Sequence, residues 1–242
     1  MFKSLVKLNI VFCHYLVRQF PNFFGGGNYN DDLRAKIERH ILTKKPSTII
    51  EVGGIDRPLI NKSPEYLYIG VDIEEKDSCY EVYDEFYVQS IEQDLSKEAD
   101  LIISTTLLEH VPNNKVSLRV MYSSLKEGGE MMHFIPSKFH FYSLILRLVG
   151  PKLQKLLIKY LRPHAIAVTG YPAFFDYCSP WEMRRLCEEI GFKEVEIKSY
   201  YRANDYFAFF VPLFLVVTVL ENLFEFFDFK FFANGFILKA LK

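Results

Sequence analysis

The stretch Ser47-Thr48-Ile49-Ile50-Glu51-Val52-Gly53-Gly54-Ile55-Asp56-Arg57-Pro58 decides the fold of this chain. A short apolar run ending on Glu51 lies between Pro46 and two glycines, and this pattern predicts a buried β-strand over residues 48–51. Gly53 and Gly54 then allow a tight turn in which the backbone can approach a ligand closely, because no Cβ stands in the way. An ordinary connection from a strand to a loop has the same requirement, so the turn alone does not identify a site.

A second predicted strand, Leu67-Tyr68-Ile69-Gly70-Val71-Asp72, follows about twenty residues after the turn and also ends on an acid. A nucleoside-binding βαβ unit needs this spacing. The glycine turn lies beneath the ligand, and the acid at the tip of the next strand accepts hydrogen bonds from the ribose hydroxyls. The two strands together therefore favour a nucleoside site over an ordinary turn.

Three more strands are predicted between Asp72 and Pro136. The third covers residues 86–89 and is followed by Asp94 and Leu95. The fourth covers residues 100–104 and leads into Leu108-Glu109-His110-Val111-Pro112, and a helix over residues 116–125 precedes a fifth strand that ends at Pro136. These strands are short apolar runs without alternation, which is typical of a parallel sheet covered on both faces.

In this order, the segments resemble the class I S-adenosylmethionine-dependent methyltransferases, in particular the branch with a Leu-Glu-His-Val segment after the fourth strand, which is similar to methyltransferases of glycan and envelope biosynthesis. The resemblance covers residues 29–137, and a weaker resemblance extends to the C-terminus. It implies an α/β, Rossmann-like sheet of seven strands in the order 3-2-1-4-5-7-6, with the last strand antiparallel and helices on both faces. An N-terminal helix and a hydrophobic helical insertion before the last strand complete the expected fold.

The resemblance also implies S-adenosylmethionine as the cofactor and a set of residues that would bind it. Glu51, Gly53 and Gly54 would line the methionine end of the cofactor. Asp72, with Ile73 beside it, would hold the ribose, and Asp94 with Leu95 would contact the adenine. Ser104 and Thr105, at the carboxyl end of the fourth strand, would border the place where methyl group and acceptor meet.

One residue departs from the family pattern, which reads acid-x-Gly-x-Gly. Ile55 stands where the second glycine is usual, and a β-branched side chain there narrows the permitted backbone conformations. We expect a variant turn in which Pro58 lies in the first turn of a helix. A lost cofactor site is the alternative interpretation.

Two histidines are candidate catalytic bases. His110 lies next to Glu109, and His164 lies in a basic segment ahead of several aromatic residues. Some relatives hold a divalent metal with a Glu-x-x-Glu-His segment. Thr106 replaces the first of those acids here, so we predict no metal site. His133 is expected to be a core histidine in the middle of a strand.

The chain is expected to form an N-terminal amphipathic helix and linker over residues 1–28, followed by a methyltransferase domain over residues 29–242. That domain would carry a basic insertion on the acceptor side over residues 138–178 and an aromatic helical insertion over residues 207–232. Met131 to Phe175 contains six lysines and arginines and no acid. The basic and aromatic segments are typical of a membrane surface, but solvated or core helices would explain them too.

Composition limits the classes of function. A formal net charge of −1 excludes a globally basic nucleic-acid binder, so no nucleic-acid partner is expected. The four cysteines have no metal-binding spacing, and we expect a cytoplasmic protein that can contact the inner face of an anionic membrane. The predicted acceptor is an oxygen of a lipid-linked or anionic saccharide. The alternatives are a lipophilic, quinone-like small molecule, or a non-catalytic protein that binds membrane or partner. The sequence does not predict an oligomeric state.

Overall fold

The computed structural model describes residues 2–141, 143, 144, 148 and 172–242. Its strands are β1 (Thr48–Val52), β2 (Leu67–Asp72), β3 (Glu85–Val88), β4 (Ala99–Thr105), β5 (Leu125–Pro136), β6 (Lys193–Tyr200) and β7 (Gly235–Leu241). The α-helices are α1 (Phe2–Gln19), α2 (Pro21–Phe24), α3 (Tyr29–Lys44), α4 (Cys79–Val82), α5 (Asn114–Ser124), α6 (Pro180–Ile190) and α7 (Val211–Phe226). Within the residues described, three short 3-10 helices cover Leu108–His110, Asn204–Phe207 and Lys230–Phe232.

The seven strands form one sheet in the order β3-β2-β1-β4-β5-β7-β6. The first five strands in this order pair in parallel. β7 runs antiparallel to β5, and Lys242 N donates to Gly129 O at 3.0 Å near one end of the pair. The sheet order and the antiparallel last strand that the sequence predicts are both confirmed.

Helices cover both faces of the sheet, which is why the parallel strands are apolar throughout. On one face, Ile50 of β1 and Ile102 of β4 belong to a buried cluster that also contains Leu118 of α5 and Met183 of α6. Helix α3 packs on β5. These layers bury the strands and leave the strand ends and their loops available for a site.

Contacts divide the chain into two compact units. The sheet unit comprises Asn28–Pro136, Phe174–Lys198 and Phe236–Lys242. The helical unit comprises Met1–Gly27, Ser137–Ala173 and Ser199–Gly235. In the helical unit, α1 packs on α7 through a small core that contains Cys13, Ala208 and Phe214.

The prediction that Pro58 begins a helix is wrong. Residues 53–66 form a loop without helix between β1 and β2. The Leu59 N–H donates to the carboxylate of Glu51 at 3.0 and 3.2 Å. A side chain at the end of the strand therefore anchors the segment as a loop.

Part of the predicted basic insertion, with its lysines at 152, 155 and 159, lies outside the described residues. Within the described ranges, none of the helices combines the length and the apolar character that crossing a bilayer requires.

Candidate cofactor site

The predicted cofactor residues lie at one edge of the sheet, where the parallel strands end. Val52 of β1 is paired with Val71 of β2, and Asp72 is paired with Val88 of β3. On the other side of β1, Glu51 is paired with Ile103 of β4. The carboxyl ends of four strands are therefore level, so the loops that follow them meet at the edge where α/β sheets bind ligands.

The turn after β1 depends on its two glycines for different reasons. Gly53 has φ +81°, a conformation that favours glycine, and its N–H donates to Val71 O at 2.9 Å. A Cβ on Gly53 would lie 2.8 Å from the side chain of Leu107, so the loop after β4 packs directly on this turn. A Cβ on Gly54 would lie 2.3 Å from the Tyr83 hydroxyl and 2.7 Å from Glu51 Oε1.

The side chain of Glu51 stabilises the turn after β1. Its carboxylate is buried and accepts hydrogen bonds from the Tyr68 hydroxyl and from the Leu59 N–H. Burial raises the pKa of Glu51 to about 7, although the hydrogen bonds from Tyr68 and Leu59 oppose the rise. The structure thus gives Glu51 a positioning role within the loop, and its direct contact with the methionine end of a cofactor stays a prediction.

Ile55 adopts the left-handed conformation that a glycine usually takes, with φ +47°. Such a backbone costs an L-residue about 1–2 kcal/mol. Its side chain is buried, which compensates for part of the strain. Its N–H faces the Asp72 carboxylate and lowers the pKa of that group. The turn therefore forms without the second glycine of the family pattern, and its backbone contacts the acid of β2.

Asp72 and Ile73 together offer the chemistry that an adenosine needs. Asp72 is half-buried, and its Oδ1 accepts the Glu74 N–H at 3.0 Å. Burial raises the pKa of Asp72, while the N–H groups of Glu74 and Ile73 lower it. Ile73 is 65% exposed beside this carboxylate. A carboxylate that can accept ribose hydroxyls next to an exposed apolar side chain that can cover a purine fits the nucleoside part of S-adenosylmethionine.

Asp94 and Leu95, the two residues after β3 that are predicted to contact the adenine, differ in burial. Asp94 is exposed, and its carboxylate accepts the N–H of Ser96 at 3.2 Å. The side chain of Leu95 is buried in the core of the sheet unit. We therefore expect any adenine contact at this position to involve the Asp94 carboxylate and the backbone of Leu95, a role that stays a prediction.

Ser104 and Thr105 end β4 below the surface. Ser104 is fully buried, and its hydroxyl is hydrogen-bonded to His133 Nδ1 at 2.7 Å. Burial lowers the pKa of His133 to about 3, so this histidine is neutral and belongs to the core. The Thr105 hydroxyl is buried and has no hydrogen-bond partner among the described residues. Of the two, Thr105 keeps an unused polar atom at this edge.

Glu109 and His110 follow β4 in a 3-10 helix. His110 is partly exposed, and its Nε2 lies 3.7 Å from Glu109 Oε1. Burial raises the pKa of Glu109 to about 8, so the carboxyl is protonated at neutral pH. The sequence places Glu109 beside the candidate base but does not reveal its burial, which depends on packing. The second candidate base, His164, lies outside the described residues.

Tyr29 is a residue of this edge that sequence reasoning did not single out. Its ring stacks on Phe134 of β5 with centroids 3.6 Å apart, and Phe134 is paired with Thr105. The signal available in the sequence was an aromatic residue two positions before the acid pair Asp31-Asp32. Tyr29 thus brings an aromatic ring to the end of β5.

The described part of the chain contains no cluster of three or more histidine, cysteine or acidic side chains that could hold a metal ion. The chemistry at this edge comes from carboxyl, hydroxyl, imidazole and backbone groups.

Comparisons with known proteins agree with this geometry. The family model described as a methyltransferase domain matches residues 27–197. No curated protein sequence matches the chain significantly.

Solved structures share the fold at low identity. A SAM-dependent methyltransferase from Archaeoglobus fulgidus is 16% identical with a TM-score of 0.52, and the match covers 94% of this chain and all of that one. The N-methyltransferase NodS from Bradyrhizobium japonicum, solved with S-adenosyl-L-homocysteine, is 12% identical with a TM-score of 0.51 over 90% of this chain and 87% of that one. Phosphoethanolamine N-methyltransferase 2 from Haemonchus contortus, solved with S-adenosyl-L-methionine, is 12% identical with a TM-score of 0.54. The match covers 96% of this chain and 57% of that one.

The chain spans 66% and 56% of the length of two further structures that it matches. The neighbours support the S-adenosylmethionine cofactor that the sequence predicts. Because the family model covers more than half of the sequence, the chain belongs to the methyltransferase domain family.

Proposed function

We propose that the protein transfers a methyl group from S-adenosylmethionine to an oxygen of a lipid-linked or anionic saccharide. The main support for S-adenosylmethionine as the methyl donor is the contact between the turn after β1 and Asp72 of β2. The Ile55 N–H faces that carboxylate and lowers its pKa, and the exposed Ile73 adjoins it. When bound, the cofactor supplies a methyl group on a sulfonium, so the protein mainly binds, orients and excludes water.

Residues of the sheet unit would hold the donor in place. Asp72 would accept hydrogen bonds from the ribose hydroxyls, and Ile73 would cover the adenine. Glu51 would act indirectly, since its carboxylate fixes the loop through Leu59 and Tyr68. The mutual orientation of donor and acceptor would supply much of the rate.

The candidate base in the described part of the chain is His110. It is partly exposed, and its neighbour Glu109 carries a proton at neutral pH because of burial. A partly exposed imidazole can take a proton from an acceptor hydroxyl, and the neighbouring carboxyl can hold the ring in position. His164 is the second candidate.

The acceptor proposal is supported by surface chemistry. Helix α7 exposes an apolar face, which suits an acceptor that is anchored in lipid. The sequence from Met131 to Phe175 carries basic residues and no acid, which suits an anionic saccharide or a phosphate linkage. The apolar face equally favours a lipophilic, quinone-like acceptor, which is the second candidate.

The test is transfer of a radiolabelled methyl group from S-adenosylmethionine to a membrane lipid extract. A saccharide linked to lipid through phosphate should first carry the label into the organic phase. Mild acid, which cleaves such linkages, should then move the label to the aqueous phase. Label that stays in the organic phase after acid would favour the quinone-like acceptor. Absence of both transfer and cofactor binding would favour the non-catalytic interpretation that Ile55 suggests.

A further inference from the structure

Helix α7 is oriented with its apolar side outward. Its buried positions, Phe214, Val217, Thr218 and Glu221, follow helical spacing on one face and include a hydroxyl and a carboxyl group. The opposite face is exposed and entirely apolar; it consists of Leu215, Val216, Val219, Leu220, Leu223 and Phe226. An ordinary surface helix has the reverse arrangement, with its polar groups facing water.

The polar groups of α7 are used inside the helical unit. The Thr218 hydroxyl accepts the amide N–H of Asn204 at 2.9 Å. Glu221 accepts the Ala203 N–H at 2.9 Å and lies 3.9 Å from the Arg202 guanidinium. These partners fix the rotation of the helix, because turning it would leave a buried carboxyl and hydroxyl without their hydrogen bonds.

Helix α1, which packs on α7, has a second outward apolar stripe. Its buried side includes Val6 and Cys13. Leu5, Leu8, Phe12 and Tyr15 recur every three or four residues on the other side and are 46–65% exposed. Lys7 and Arg18 are exposed as well. Residues 1–30 contain three lysines and arginines and no acid.

Aromatic residues continue the apolar character beyond the end of α7. Phe226 is 82% exposed, and Phe227, Phe229 and Phe231 after it are about half exposed. We call the outward side chains of α1, the outward side chains of α7 and these phenylalanines the apolar surface. Monomeric soluble proteins rarely leave so many large apolar side chains in contact with water.

We propose that the apolar surface docks on an anionic lipid bilayer, with the outward side of α7 lying in the interface and α1 beside it. Apolar side chains enter the boundary between headgroups and acyl chains, while Lys7 and Arg18 contact anionic headgroups. This surface would act whether or not the acceptor proposed above is correct.

The dimensions and charges favour this arrangement over two others. Helix α7 has 16 residues and is therefore about 24 Å long, which is less than a hydrocarbon core of about 30 Å. Its other face is packed against protein, so lipid cannot surround it. A second copy of the chain would bring the positive charges of two α1 helices towards each other, whereas anionic headgroups would neutralise them.

The experiment is co-sedimentation of the full chain with vesicles of phosphatidylglycerol and phosphatidylcholine, or of phosphatidylcholine alone, at low and high salt. The test variant is Val219→Gln/Phe226→Gln, which changes two outward positions of α7. The matched control is Leu42→Gln/Tyr80→Gln, which changes two exposed apolar residues of the sheet unit. Leu42 and Tyr80 are 76% and 56% exposed, and Val219 and Phe226 are 47% and 82% exposed. Circular dichroism and S-adenosylhomocysteine binding check that each variant is folded and keeps its cofactor site.

We expect the unaltered protein to sediment with anionic vesicles, and Val219→Gln/Phe226→Gln to bind at least tenfold more weakly while the control is unchanged. Lys7→Glu/Arg18→Glu should remove the salt-sensitive part of binding and leave the remainder, because apolar burial is not screened by salt. The proposal is overturned if the protein stays in the supernatant with anionic vesicles at low salt, or if test and control variants bind equally. It is also overturned if the protein is a dimer that only the α7 variant dissociates. If the protein still binds the cofactor in these cases, the proposed methyl transfer is not contradicted.

Discussion

Replacement of Gly54 by alanine tests the packing of the turn. A Cβ there would lie 2.3 Å from the Tyr83 hydroxyl and 2.7 Å from Glu51 Oε1, both closer than real Cβ contacts. Overpacking of this kind costs about 1–3 kcal/mol. The lower chain entropy of alanine in the unfolded state returns about 0.4–1 kcal/mol. The free energy of unfolding of Gly54→Ala should therefore fall by roughly 1–2 kcal/mol, measured by urea unfolding monitored by circular dichroism.

A double-mutant cycle makes this prediction specific. The Tyr83 hydroxyl lies against the Glu51 carboxylate and lowers the pKa of that group, so Tyr83→Phe alone should cost no more than about 1 kcal/mol of stability. In the Gly54→Ala background it removes the closer of the two contacts and should restore about 1 kcal/mol.

Gly27→Ala is the matched control for that cycle, since its Cβ would meet Tyr200 at an ordinary 3.5 Å. This variant should keep the stability of the unaltered protein. Strictly additive effects of Gly54→Ala and Tyr83→Phe would refute the reasoning, because they would mean that the hydroxyl does not occupy the space beside Gly54.

Three further predictions follow from the same edge of the sheet. Burial raises the pKa of Glu109 to about 8 from its usual 4.5, so the free energy of unfolding should fall as pH rises from about 4.5 through 8. In pH-dependent urea unfolding, Glu109→Gln should remove this fall, which amounts to roughly 5 kcal/mol at most. His110→Ala should lower turnover at saturating cofactor by about 10²–10⁴-fold, and the same loss in His164→Ala instead would transfer the role of base. Ile55→Gly relieves the left-handed strain but loses a buried side chain, so a net loss of roughly 1–2 kcal/mol of stability is expected without loss of S-adenosylhomocysteine affinity in calorimetry.

Much of the fold could be predicted because its signals are local. β2 begins and ends at the predicted residues, since its apolar run has polar neighbours and closes on Asp72. Helix α6 has local signals of the same kind, because Pro180 suits its first position and Gly191 ends it. Such signals depend on neighbouring residues and not on tertiary contacts.

The parts that sequence reasoning missed depend on partners distant in the chain. The bond from the Leu59 N–H to Glu51 anchors the loop found where a helix was expected, yet no local pattern indicates it. The bond between Ser104 and His133 needs the register of β4 against β5. The orientation of α7 was also hidden, because an almost uniformly apolar segment has no periodicity to indicate which face is buried.

The most direct test of the cofactor site is calorimetric titration of the unaltered protein and of Asp72→Ala with S-adenosylhomocysteine. Asp77→Ala, which removes an exposed acid from the loop after β2, is the control for the change of charge. The unaltered protein and the control should bind equally, and Asp72→Ala should bind more weakly by about 1–3 kcal/mol, the scale of hydrogen bonds to a charged group. Equal affinity in Asp72→Ala, or no binding by the unaltered protein, would contradict the cofactor site described for this edge of the sheet.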